Sequence, residues 1–176
     1  MVAYLIYNKV GRGVRLRKPK TIGQVQYQVV FVLGQIRNLM EGSLDIETEV
    51  LNEGPGLVEG LMKLIRPVIK FTAGDIVFRD SVGSNINSRG FFLRRDVVLL
   101  SDGTLFLNDH YLASSTVGQF VPRYLQAASP RQPVFMELVE DLVEVLTMSL
   151  RRLQEERVTV TTRLDELCAQ VRAAIT

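Results

Sequence analysis

The stretch Leu150-Arg151-Arg152-Leu153-Gln154-Glu155-Glu156-Arg157-Val158-Thr159-Val160-Thr161-Thr162-Arg163-Leu164 decides how this chain is built, because it is either the middle of one long helix or a hinge between two short ones. Val158 to Thr162 is a β-branched run, poor in helix propensity, and Thr162 followed by Asp165 resembles a fresh helix start. The apolar register nevertheless passes through it unchanged. Heptads counted from Met136 place Met136, Val143, Leu150, Arg157, Leu164 and Val171 in one set of core positions, and Val139, Leu146, Leu153, Val160, Leu167 and Ala174 in the other. Only Arg157 interrupts the seam. An unbroken register predicts a single helix over about 134 to 175.

The two halves of that helix differ in the width of the apolar stripe. Phe135, Leu138, Leu142 and Val145 broaden it, as expected where a helix lies on a core. Beyond Leu153 it narrows to the seam of a coiled coil. Roughly 42 residues at 1.5 Å each extend about 63 Å, whereas a compact chain of this length is only about 40 Å across. The distal part is therefore expected to project. Its seam, Leu150, Leu153, Arg157, Val160, Leu164, Leu167 and Val171, then calls for a second copy of the chain or another helical protein.

Upstream, Ser129-Pro130 and Pro133 mark a boundary, dividing the chain into an α+β globular part over 1–130 and the long helix over 131–176. A short helix is expected from Ser115 or Thr116 to Leu125. Ser101-Asp102-Gly103-Thr104 between Val97-Val98-Leu99-Leu100 and Leu105-Phe106-Leu107 is a hairpin signal. Asp75–Arg79 and Phe91–Leu100 have strand composition, with Ser81–Gly90 expected as an exposed polar loop. Asn52-Glu53-Gly54-Pro55-Gly56 reads as another loop, followed by a short helix carrying Leu57, Leu61, Leu64 and Ile65 that Pro67 ends.

Before that, Ile22, Val25, Val29, Val32, Ile36 and Leu39 recur at steps of three and four on one helical stripe. Thr21 with Gln24 forms a capping box, and Gly42 closes the helix. Such a helix covers only about 27 Å, too little to occupy the whole seam. At the amino terminus, Val2–Tyr7 and the alternation around Val14 and Leu16 predict two strands joined at Gly11-Arg12-Gly13. The fold class is α+β, with an amino-terminal hairpin and apolar helix, an antiparallel sheet in the middle and a long coiled-coil-like helix at the end.

With 176 residues, 47% of them hydrophobic, the chain can bury a core without disulfides or metals. A single cysteine, Cys168, together with no secretory leader pattern, points to a cytoplasmic or other reducing intracellular compartment. The apolar run Val25–Leu33, interrupted by Gln26 and Gln28, is far short of a membrane span.

Charge is segregated along the chain. Lys9, Arg12, Arg15, Arg17, Lys18 and Lys20 cluster without an acid, while Glu41, Asp45, Glu47, Glu49, Glu53 and Glu59 cluster without a base. Leu16 stands where a dinucleotide fingerprint needs its third glycine, and Lys20-Thr21 lacks the glycines of a P-loop. What remains is an electrostatic surface, to which Arg94 and Arg95 beside Phe91-Phe92 could add, able to meet nucleic acid or the acidic face of a protein.

Asp109-His110 is a candidate acid-base pair, but neighbouring residues on a strand point to opposite faces. Cys168 lies beside the seam without a histidine or second cysteine and is expected to be a buried or half-buried thiol. No catalytic residue, metal site or cofactor is assigned, and a small-molecule ligand is not expected. The function these features imply is non-enzymatic: an assembly, scaffold or accessory protein that oligomerises or binds a helical partner and presents a basic surface. Nucleic-acid binding through residues 9–20 is the alternative, and a small-molecule enzyme near Asp109 and His110 is the least supported.

Overall fold

The computed structural model describes residues 21–80, 82–108 and 117–175. Within them the chain is α+β, with helices α1 (Ile22–Gly42), α2 (Ile46–Ile69), α3 (Val117–Ala127) and α4 (Arg131–Ile175) and strands β1 (Gly74–Arg79), β2 (Asn85–Phe92), β3 (Val97–Leu100) and β4 (Leu105–Leu107). Helix α1 starts as the capping box implies, its Thr21 hydroxyl accepting the Gln24 backbone N–H at 3.2 Å. It lays Val25, Val32 and Ile36 on the core.

Helix α2 is the largest departure from the sequence reading. Neither the loop at Asn52–Gly56 nor a stop at Pro67 occurs; one helix of 24 residues runs through Pro55 and Pro67. A proline inside a helix removes one hydrogen bond and crowds the preceding turn, at about 3 kcal/mol. Burial offsets this: Val50, Val58, Leu61, Met62, Ile65 and Ile69 are sealed from solvent, each such side chain contributing about 1.5–3 kcal/mol. Gly54 has its own reason to be small, since a Cβ there would lie 3.2 Å from both Leu125 and Phe135. The glycine lets α2 approach α3 and α4 closely. Asp45 starts the helix, accepting the Thr48 backbone N–H at 3.3 Å and its hydroxyl at 2.6 Å.

The sheet is an antiparallel meander in the order β1-β2-β3-β4. Instead of the polar loop expected over Ser81–Gly90, β2 begins at Asn85 and pairs with β1 from Arg79↔Asn85 to Gly74↔Gly90. The polar composition is that of a hairpin with one wet face, Asn85, Asn87 and Arg89 alternating outward. The stretch Phe91–Leu100 is not one strand: a 3₁₀ turn, Arg94–Asp96, separates β2 from β3. The β3–β4 hairpin forms as its turn residues imply, with Leu99 opposite Leu105.

Alternation along β3 serves two cores. Val97 and Leu99, with Leu105, join the helical core. Val98 turns to the opposite face and packs with Ile76, Phe78 and Phe106; the rings of Phe78 and Phe106 sit 4.9 Å apart.

Helix α4 is a single helix of 45 residues, with no break at Val158–Thr162. Phe135, Leu138, Leu142, Val145 and Leu146 bury its first half against the core dominated by α2. Its start is capped from α2: Glu47 accepts the backbone N–H of Arg131 at 2.6 Å and of Gln132 at 3.1 Å. A carboxylate placed there satisfies two free amides and complements the positive end of the helix dipole.

Candidate association surface on the long helix

The seam residues divide at Leu153. Leu150 is buried in the core and Leu153 is half-buried against it. From Gln154 to Ala174 every side chain is exposed. Val160 is 57% exposed, Leu164 56%, Leu167 56% and Val171 50%. At 1.5 Å per residue the free part is roughly 30 Å long. A lone helix in water needs either high propensity or a packed apolar face. This one carries a β-branched run and an unpacked apolar stripe.

The body holds the proximal half of α4 through Arg94 and Arg95. The Arg94 backbone N–H donates to Asp141 Oδ2 at 3.0 Å and its Nε to Oδ1 at 2.8 Å. Its Nη2 donates to Glu140 Oε2 at 2.8 Å and to the Glu137 carbonyl at 3.2 Å. Arg95 Nε donates to Glu137 Oε2, and its Nη2 to Oε1 at 3.3 Å. Within this turn Arg95 and Asp96 stand at φ 55° and 58°, left-handed conformations that cost about 1–2 kcal/mol each in L-residues, and Glu137 holds the first of them.

The electrostatics follow the geometry. Hydrogen bonds donated to Glu140 and Asp141 hold the Arg94 guanidinium firmly protonated. The hydrogen bond with Arg95, helped by the nearby charges of Arg95 and Arg94, keeps the Glu137 carboxyl below its ordinary range despite some desolvation.

Two clefts of about 490 Å³ flank this anchored half. One lies between α1 and α4, floored by Leu33, Ile36, Met40, Met136, Val139 and Val143 and rimmed by Arg37, Glu41, Glu140 and Glu144. The other lies beside β2, among Phe91, Phe92, Arg94, Asp141, Val145 and Met148. Glu140 and Glu144 form the ridge between them.

Of the residues singled out in the sequence, Val160, Leu164, Leu167 and Val171 come together as one exposed stripe, interrupted at its start by Arg157. Arg94 and Arg95 are not open cations: both are engaged by carboxylates of α4. Lys9, Arg12, Arg15, Arg17, Lys18 and Lys20, the amino-terminal hairpin, and Asp109 and His110 lie outside the described residues. Cys168 is exposed rather than buried, because it sits on the projecting part of α4, against which none of the described residues packs. Among the described residues no group of three His, Cys, Asp or Glu side chains is placed to hold a metal ion, and no helix is long and apolar enough to cross a membrane.

Sequence reasoning did not find Glu47 or the acidic row Glu137, Glu140 and Asp141 as partners of distant groups. The acids carried only the signal of solvated helix charge, and their partners are set by packing. The chain matches no family model, no curated protein and no solved structure.

Proposed function

We propose that this chain is a non-enzymatic assembly protein whose body carries an α-helical arm for association, through self-pairing or pairing with another helix. The observation that carries the reading is the exposed stripe Val160, Leu164, Leu167 and Val171 on the part of α4 that leaves the body. Burying such a stripe against a matching helix removes its apolar surface from water, at about 25 cal/mol per Å². The basic run Lys9–Lys20 supplies charge to steer a partner.

The test compares the native mass of the purified full-length chain, and of the chain extracted from its source, with those of a Leu164→Glu/Leu167→Glu variant. The wild type should exceed the monomer mass in at least one setting, and the variant should not. Monomeric wild type in both settings would end this reading.

Nucleic-acid binding by Lys9, Arg12, Arg15, Arg17, Lys18 and Lys20 is the second reading, supported by six cations without an intervening acid. It requires binding to random RNA or DNA with a steep salt slope that disappears on neutralising those residues.

A further inference from the structure

The exposed seam has a symmetry of its own. Val160, Leu164, Leu167 and Val171 read valine, leucine, leucine, valine in either direction, with spacings of four, three and four about the point between Asp165 and Glu166. Antiparallel helices pair a position of one heptad set with a position of the other, whereas parallel, in-register helices pair each position with itself. A two-fold axis through that midpoint therefore sets Leu164 against Leu167 of a second copy, and Val160 against Val171 of the second copy. The stripe is its own complement, as an isologous interface requires.

Arg157 chooses between the two directions. In a parallel in-register pair it would face Arg157 of the second copy, placing two cations in one layer of the seam. In the antiparallel pair it faces Ala174 of the second copy, whose methyl group leaves room for the arginine stem to lie flat while its head reaches water. The flanking positions agree, since the antiparallel register sets Arg163 beside Gln170 and Thr161 beside Cys168, with no like charges opposed. The paired stretch, Arg157 to Ala174, also lies wholly beyond Leu153, the last side chain packed on the body. The described parts of the two bodies then sit at opposite ends of the pair.

Resting on the reading of α4 as the association element, we propose that the occupant of this seam is a second copy of the chain, paired antiparallel over Arg157 to Ala174 about the point between Asp165 and Glu166.

The test uses full-length protein carrying Cys168→Ser, into which Val160→Cys and Val171→Cys are introduced separately. In the antiparallel pair these two positions face each other. Like positions stand eleven residues apart along the axis, about 16 Å, beyond the roughly 4.4–6.8 Å between Cα atoms that a disulfide spans. Light scattering and circular dichroism before oxidation establish that each variant retains the wild-type mass and helix content. Mild oxidation of the two proteins mixed should give a cross-linked dimer at least several-fold more abundant than oxidation of either alone. Cross-linking of each variant with itself would overturn the antiparallel register while leaving self-association standing. A monomeric purified chain that acquires a higher mass only in its source would overturn the second copy as occupant, leaving the association reading intact. A monomer in both settings would overturn both.

Discussion

The carboxylate of Asp141 on α4 grips Arg94 twice, one oxygen accepting its backbone N–H at 3.0 Å and the other its Nε at 2.8 Å. Asp141 is buried, and the pair joins the turn between β2 and β3 to the helix that carries the exposed stripe. Asp141→Ala leaves both donors unmatched at a partly buried site, whereas Arg94→Gln keeps the backbone donor satisfied and opens the carboxylate toward water. Urea unfolding should therefore rank Asp141→Ala as clearly less stable than Arg94→Gln, with both below the wild type. Equal midpoints for the two variants would contradict this assignment.

The ion pair between Arg95 and Glu137 predicts the response to acid. Because the folded-state pKa of Glu137 is lowered, its contribution is present above the ordinary carboxylate range and is lost as pH falls through the lowered folded value. Asp45, lowered by hydrogen bonds from the Thr48 hydroxyl and backbone, acts in the same direction. Urea midpoints measured on a descending pH series should fall less steeply for Glu137→Gln than for the wild type.

Glu47 sets the start of α4 from a different helix. Replacing it with alanine removes an acceptor from two first-turn amides and should cost about 1 kcal/mol. Guanidinium unfolding measures this directly. Glu49, two residues further along the same helix and without those contacts, serves as the control and should change little.

Two glycines of nearly equal backbone angle separate conformational strain from crowding. Gly83 has φ +88° with open space around it, whereas Gly103 has φ +89° with Arg66 side-chain atoms 2.8 to 3.1 Å from where a Cβ would stand. Gly83→Ala should cost about 1 kcal/mol from the left-handed angle alone. Gly103→Ala should cost more, by the displacement of Arg66 from its ion pair with Glu59, and thermal unfolding of the two variants checks the order.

Arg157 interrupts an otherwise apolar seam, so on the proposed pairing Arg157→Leu should strengthen association and move the monomer–oligomer equilibrium to lower protein concentration in analytical ultracentrifugation. The body should keep its stability to within about 0.5 kcal/mol, since Arg157 is exposed and distant from the core.

Much of the architecture was legible because its signals are local. The stripe of α1, its Thr21 cap and the Ser101–Thr104 hairpin each depend on residues within a turn or two of one another. Helix α2 was legible only around Leu57, Leu61, Leu64 and Ile65, not in its run through Gly54, Pro55 and Pro67. Gly54, Pro55 and Pro67 are breakers by local rules, and the burial that overrides them comes from residues such as Leu125 and Phe135, far along the chain. The turn at Arg94–Asp96 was hidden for the same reason, its two arginines being held by acids more than 40 positions away.

The long helix shows where the division falls. Its continuity was determined by the sequence alone, because a heptad register is a strict local count that either survives a weak stretch such as Val158–Thr162 or does not. That its apolar stripe narrows beyond Leu153 was also legible in the sequence, whereas the degree to which each seam side chain is covered was decided only by the tertiary structure. Leu150 and Leu164 occupy equivalent heptad positions, yet one is 7% exposed and the other 56%. The difference lies in the reach of the body packed beneath them, a property no helical period contains.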